Sequence, residues 1–434
     1  MKRRPNGYSM RIMRIDRGSK RALPAWLIVA LMAAIGLNLR ATLGAIPPLL
    51  NQISTELGLS GIAQAGLTSV AILAMGLFAP IGQRMAARWG AEITTAVMLG
   101  LLSVSGFMRL AATTTGILMA SVALAGASMG AASAIAPALI AQHVPKIRGF
   151  TTGIYSTGLA MGVAIAAWIA VPTEQWLGGW RPALAVWGVF AGLTAFAWVL
   201  AIPGLHRDPG RPVRLVRGQS HVRLPWRSPT AWMVTGYTAM IMLIGFSGLA
   251  WVTPYYVSLG YRAQDAANLL VLFQVVQIGA MLTLPAITDH TRDRRPLLAL
   301  SLGLGLLGIA GLVFAPTQLA IPSVALFGLG LGGSSPLALV VLVDYAGSPS
   351  NAARLGAMMM LIAYPIGAIG PLILGAVKDA TGSFAFGYAI ILTLAILTFL
   401  TIPIFRPGRH IDDHLVSGED TESEDDGQLP IPPV

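Results

Sequence analysis

A chain of 434 residues that is 55% hydrophobic and only 11% charged, with a mean hydropathy of +0.70, is excluded as a water-soluble globule, since soluble domains carry about 25% charged residues. The absence of cysteine excludes a disulfide framework and a thiolate metal site. A net charge of +11 would suit nucleic acid, but the charges gather in alternate loops between apolar runs, as in a membrane protein over anionic lipid, so nucleic acid is not an expected partner.

In chain order, the basic stretch Met1 to Arg21 precedes an apolar run, Ala25 to Leu50, that is too long for the core of a signal peptide. It is expected to be an uncleaved first membrane helix. Further apolar runs of about 20 residues, the length that crosses a bilayer, predict spans near 25–50, 62–83, 93–112, 116–140, 150–172, 181–202, 230–256, 264–287, 296–315, 318–343, 355–377 and 384–405. Arg84 and Arg88, Lys146 and Arg148, the arginine-rich connection 203–229, Arg292 with Arg294 and Arg295, Arg354, and Arg406 with Arg409 share one side with the basic N-terminus. Loops on the other side hold little beyond Glu56, Glu174, Arg181, Arg262, Asp265, Lys378 and Asp379. The positive-inside rule then places both termini in the cytoplasm of a multi-pass cell-membrane protein. Residues 406–434 turn acidic and end in prolines, a composition expected to stay solvated and disordered.

The long basic connection splits the spans six and six, giving an N-terminal segment 1–24, halves at 25–202 and 230–405, a linker 203–229 and the tail. Punctuating residues recur between the halves at a separation of about 205 residues: Pro48 with Pro254, Pro80 with Pro285, Arg148 with Arg354, Gly178 with Gly382. Such a register predicts a duplicated six-helix unit. Glycines crowd several spans, including Gly126 and Gly130, Gly153, Gly158 and Gly162, Gly328 to Gly333, and Gly367 with Gly370. They suit close helix packing, and flexing of the fifth and eleventh helices is the alternative reading.

An ionisable group at membrane depth costs several kcal/mol unless it meets a cavity or a partner. Arg40, in the run Gly36-Leu-Asn-Leu-Arg-Ala-Thr-Leu-Gly44, lies about 24 Å along a helix that starts at Pro24. With Asp265 assigned to a loop, no Asp or Glu is read inside a span, so Arg40 has no evident fixed counter-ion. Its repeat counterpart falls near Phe246, which is uncharged. A guanidinium offers a planar fork to carboxylate, nitro or similar oxygens, which points to a small anionic or polarised guest. Asn38, Tyr155, Trp251, Gln274, Gln277 and Tyr364 are the other candidate contacts, with Ser334 and Ser335 also at depth; Gln274 and Gln277 share a helix face. His143 reads as a loop residue. A carboxylate proton relay is not expected, and uniport and anion exchange stay open. The sequence has no GxxxxGK[ST] loop to drive transport with ATP, and no ligand cluster for a metal, so neither an enzyme nor a cofactor is expected.

The stretch Gly36-Leu-Asn-Leu-Arg40 running to Pro47-Pro48, then Glu56-Leu-Gly-Leu-Ser60, Gly178-Gly-Trp-Arg181 with Trp187, Arg294-Arg-Pro296 and Lys378-Asp-Ala-Thr-Gly-Ser383 resemble the cyanate permease and nitroimidazole transporter group of the major facilitator superfamily. The resemblance covers Pro24 to Phe405. It implies an all-α fold of twelve transmembrane helices in two pseudo-symmetric halves, and a single-chain carrier, expected to be monomeric, that moves a small-molecule solute across the lipid bilayer by alternating access. Multidrug or xenobiotic efflux is the alternative. The superfamily's loop pattern, roughly G-x-x-x-D-R-x-G, appears as Gln83-Arg-Met-Ala-Ala-Arg88-Trp-Gly90, with Ala87 where aspartate is usual. The resemblance therefore assigns gating roles to Arg84, Arg88, Gly90, Asp289 and Arg292, together with the repeat-matched Arg148 and Arg354.

Overall fold

In hydrocarbon no water satisfies a peptide group, so a chain this apolar must bond its backbone within each crossing segment. The computed structural model, which describes residues 23–205, 224–288 and 293–406, is accordingly helical, with no strand among the described residues. Six helices form the first half: α1 (Ala25–Leu57), α2 (Gly61–Trp89), α3 (Ala91–Met108), α4 (Thr115–His143), α5 (Arg148–Leu177) and α6 (Trp180–Leu205). Six more form the second: α7 (Pro229–Ser258), α8 (Ala263–Thr288), α9 (Arg295–Phe314), α10 (Ala320–Ala346), α11 (Pro349–Thr381) and α12 (Ala385–Leu400). All twelve contain a stretch long and apolar enough to cross a membrane. An even number of crossings puts the start of α1 and the end of α12 at one end of the bundle, here the terminus end; the other is the far end.

The duplication shows in the packing. α1 lies along α5 and α2 along α4, while in the second half α7 lies along α11 and α8 along α10. α2 against α11 and α5 against α8 join the halves. Gly178 and Gly382 end α5 and α11 in the same way, each in the left-handed region at φ 74° and 69°, with the cap N–H donated to Glu174 O and Lys378 O. Only glycine takes that conformation without strain.

Several helices outrun the predicted spans. α1 continues through Pro47 and Pro48 to Leu57, α3 starts early enough to include Glu92, and α4 ends on His143. Asp265 falls in the first turn of α8, Asp344 lies within α10, and α11 carries Lys378 and Asp379. The assignment of Asp265 to a loop is therefore corrected, and the other carboxylates lie on helix turns beyond the predicted spans. Hydropathy stops at the first charge, whereas a helix stops only where its backbone loses partners.

Glycine spacing is chiefly a packing device. A Cβ added at Gly36 or Gly44 would press into α5 at Tyr155 or Val163, and one at Gly158 or Gly162 into α1 at Ala33 or Leu37. Gly126 and Gly130 hold α4 against Ala71 and Met75 of α2 in the same manner, and Gly328 and Gly332 hold α10 against α8. Gly153 differs, since an added Cβ there meets nothing within 4 Å. Two substitutions in α5 should then have opposite signs. Gly162→Ala must push α1 away, an overpacking cost of about 1–3 kcal/mol, and should lower the melting temperature of purified protein. Gly153→Ala relieves backbone entropy by about 0.5–1 kcal/mol and should raise it.

Candidate functional site

Arg40 sits midway along α1, half-buried, on the side that turns from α5 toward the second half. Its guanidinium carbon lies 6.0 Å from the ring centroid of Phe246 on α7. Phe246 is the residue that the repeat register pairs with Arg40, so the two pseudo-equivalent positions face each other across the boundary between the halves. One brings a permanent charge and hydrogen-bond donors, the other an aromatic face. Among the described residues, no carboxylate pairs with Arg40.

Around this pair, Tyr155 of α5 is buried with its hydroxyl 3.4 Å from Ser133 Oγ of α4, and it lies within electrostatic reach of both Arg40 and Tyr364. Tyr364 of α11 is half-buried, and its Cβ stands where a side chain on Gly76 of α2 would begin. Arg40, Phe246, Tyr155 and Tyr364 thus draw together α1, α7, α5 and α11, the four helices that are equivalent in pairs by the repeat. Phe246 escaped the sequence reading as a contact because nothing in an apolar span distinguishes a wall residue from a packing one.

The other candidates divide. Asn38 is turned toward α6, where Nδ2 donates to Thr194 Oγ1 at 2.8 Å and to Ala34 O at 2.9 Å. Two residues from Arg40 on a helix, it faces nearly the opposite way. Trp251 is fully buried near the far end of α7 and donates Nε1–H to Pro371 O at 2.9 Å; it is not brought to Arg40. Gln274 is buried and Gln277 half-buried on α8, and among the described residues no hydrogen bond links either amide to Arg40. Arg84, Arg88 and Arg148 are exposed, Arg354 is half-exposed, and Gly90 caps α2 at φ 92° by donating to Ala86 O. Asp289 and Arg292 lie outside the described residues.

Among the described residues, charged contacts between the halves lie at the far end. Both oxygens of Asp379, on the last turn of α11, accept from the first backbone amides of α2, Gly61 N–H and Ile62 N–H. Those amides have no partner within their own helix, so α11 caps α2 across the boundary. Beside them Lys378 Nζ donates to Gln64 Oε1 at 2.8 Å and lies over the rings of Phe384 and Trp251 at 4.9 and 5.5 Å. Gly61 and Gly375 allow the backbones to touch, and Gln264 of α8 donates to Trp168 O of α5 at 3.3 Å. Toward the terminus end, a Cβ added at Gly149 or Gly153 on α5, or at Gly279 on α8, meets nothing within 4 Å.

Other polar side chains make buried or helix-joining contacts that the sequence did not show. Arg109, just past α3, is completely buried among α3, α4 and α6, and its nitrogens have no hydrogen-bond partner among the described residues. Glu92 and His143, the latter expected in a loop, form a buried pair: Glu92 Oε1 lies 2.9 Å from His143 Nε2 and accepts from Gln142 Nε2 at 2.9 Å. The second half has the same tie with acid and base exchanged, Arg294 Nε on Asp344 Oδ2 at 2.8 Å, joining the start of α9 to the end of α10. Charge reversal hides this equivalence from a residue-by-residue repeat search.

The Major Facilitator Superfamily profile matches residues 26–371. The chain belongs to this superfamily. Over 392 residues it is 29% identical to the cyanate transport protein CynX of Escherichia coli, covering 88% of this chain and 98% of that protein. It is 28% identical over 359 residues to the 2-nitroimidazole transporter of the same organism, covering 83% and 90%. Its fold is similar to that of the D-xylose-proton symporter, with a TM-score of 0.67 at 16% identity over 88% of this chain and 98% of that one. The nucleoside transporter NupG gives 0.69 at 12% identity, over 87% and 98%. The protein is a multi-pass membrane transporter of the superfamily, not an enzyme.

If Asp379 is the far-end latch, Asp379→Asn should release it, since a hydrogen bond to a charged group contributes about 1.5–3 kcal/mol. The chain has no native cysteine, so spin labels at Ile62→Cys and Thr381→Cys report far-end separation directly. The long-distance population should rise by roughly tenfold or more in Asp379→Asn.

Proposed function

We propose that this transporter moves a small anionic or nitro-bearing organic solute across the cell membrane by alternating access, binding it between Arg40 and Phe246. The observation that carries this reading is an embedded guanidinium, unpaired by any described carboxylate and set against an aromatic ring at the boundary of the halves. A charge in that position costs several kcal/mol, and an oxygen-bearing guest would supply the missing partner. Relatives named for cyanate and for 2-nitroimidazole support it, because both names denote small solutes with concentrated negative charge or polarised oxygens.

In this reading the guest accepts from the guanidinium of Arg40 while any planar part lies on Phe246, and Tyr155 and Tyr364 close the sides. The protein acts as a monomer with both termini in the cytoplasm, so the terminus end of the bundle faces the cytoplasmic side and the Asp379 cap lies on the outer one. Return to the opposite state opens that cap.

Thermal stabilisation of purified protein by cyanate, nitrate and a 2-nitroimidazole measures binding, because a ligand of the folded state stabilises it according to its concentration relative to Kd. Arg40→Ala removes a charge-assisted contact of about 1.5–3 kcal/mol, so Kd for the guest should rise roughly 10- to 150-fold. Arg40→Lys keeps the charge without the fork and should fall between. Equal stabilisation of wild type and Arg40→Ala by every anion removes Arg40 from the site; neutral xenobiotics that bind both forms equally tightly favour the efflux reading.

A further inference from the structure

One apolar opening in the molecule has neither Arg40 nor Phe246 in its lining. It is a groove of about 920 Å3 between the first half of α7 and the last half of α12 at the terminus end, walled by Met233, Gly236, Met240, Leu394 and Leu397, with Ser228 and Thr401 at its mouth. α7 and α12 barely touch there, because α12 packs mainly on α9 and α11. The groove opens sideways: Trp232, Leu397 and Ile404 on its walls are each about half exposed, on helices that cross the bilayer.

Three features select an occupant. Trp226 and Trp232 stack at the mouth with centroids 5.9 Å apart, and Trp232 Nε1 donates to Trp226 O at 2.8 Å; such indoles mark the level of the headgroups. The only charges on the two walls as described, from Leu224 through Met240 and from Ala385 through Arg406, are Arg227 and Arg406, both exposed, Arg227 next to the lining residue Ser228 and Arg406 two residues after the lining residue Ile404. Neither wall carries an Asp or Glu. An apolar trough whose two walls carry arginines as their only charges at headgroup depth is complementary to acyl chain plus phosphate.

We infer that this groove binds a membrane phospholipid with an anionic headgroup, its acyl chain lying between α7 and α12 and its phosphate held by Arg227 and Arg406. The inference stands apart from the solute site: neither Arg40 nor Phe246 takes part. Its reach is nonetheless functional, because the lipid sits on the same helix that presents Phe246 to Arg40.

The test uses full-length protein extracted in mild detergent, with native mass spectrometry and thermal stability as readouts, and phosphatidylglycerol and phosphatidylcholine of identical acyl chains as probes. Wild type should retain phosphatidylglycerol in preference and melt higher with it. The Arg227→Gln/Arg406→Gln double variant should retain roughly tenfold less phosphatidylglycerol while phosphatidylcholine is unchanged. Gly236→Trp fills the groove where an added Cβ meets nothing, and should lose lipid of either kind. Gly100→Trp, at an equally open glycine on α3, is the matched control and should behave as wild type. Equal retention of the two lipids by wild type, or unchanged retention in Gly236→Trp with Gly100→Trp as reference, overturns the inference.

Discussion

Burying leucine against leucine stabilises nothing when the alternative is lipid, so helices in a membrane are held by close contact and by polar groups that find each other. That constraint explains the composition of this transporter better than hydropathy does. Glycines on α1, α4, α5 and α10 bring backbones together where a single methyl group would part them. Dispersion gains that are tiny per atom pair then accumulate along whole helices. Every other feature, including the placement of Arg40, is hung on pairs of helices fixed in this way.

On that frame the duplication is informative where it is broken. A repeated unit gives each half the same helix pairs and the same glycine caps at Gly178 and Gly382, and symmetry alone would place like residues opposite each other at the boundary. Two arginines there would repel, and two phenylalanines would offer no hydrogen bond to a polar guest. In the proposed reading, Arg40 opposite Phe246 is a division of labour that neither half could supply by itself. The ties between α3 and α4 and between α9 and α10 break the symmetry differently: Glu92 with His143 and Arg294 with Asp344 keep the contact while exchanging its poles. Selection there acts on the tie, not on which helix bears which charge.

The twelve helices, their pairing into halves and the place of Arg40 inside the first of them were legible in the sequence because each rests on a local or periodic signal: a run of apolar residues, a recurring proline or glycine, a cation among leucines. What was illegible depends on distance. Lys378 and Asp379 read as an outer loop because charge ends a hydropathy run, yet their helix continues and their partners, Gln64 and Gly61, are more than three hundred residues away. Asn38 read as a companion of Arg40 through proximity in sequence, although helical geometry sends it to Thr194. Arg109 was passed over at the edge of a span, and only the structure shows it buried by three helices at once.

The distribution of polar contacts also sets the scale of the conformational equilibrium. Within the first half, Glu56 accepts from Trp180 and Arg181, Arg181 also donates to Ala112 O, and Glu92 draws in Gln142 and His143; the second half has Arg294 on Asp344. These ties sit inside one half, so relative motion of the halves leaves them intact. Among the described residues, the polar ties seen across the boundary are the Asp379 cap, Lys378 with Gln64, and Gln264 with Trp168. At about 0.5–1.5 kcal/mol for a neutral hydrogen bond and about 1.5–3 for a charged one, they sum to a few kcal/mol before water replaces them. A ligand shifts a two-state equilibrium only by its differential affinity for the states, and a full reversal takes about 5.5 kcal/mol. In the proposed alternating-access reading, a boundary with so few described bonds keeps the opposing state within reach of one small solute, whereas ties as dense as those inside each half would lock the carrier.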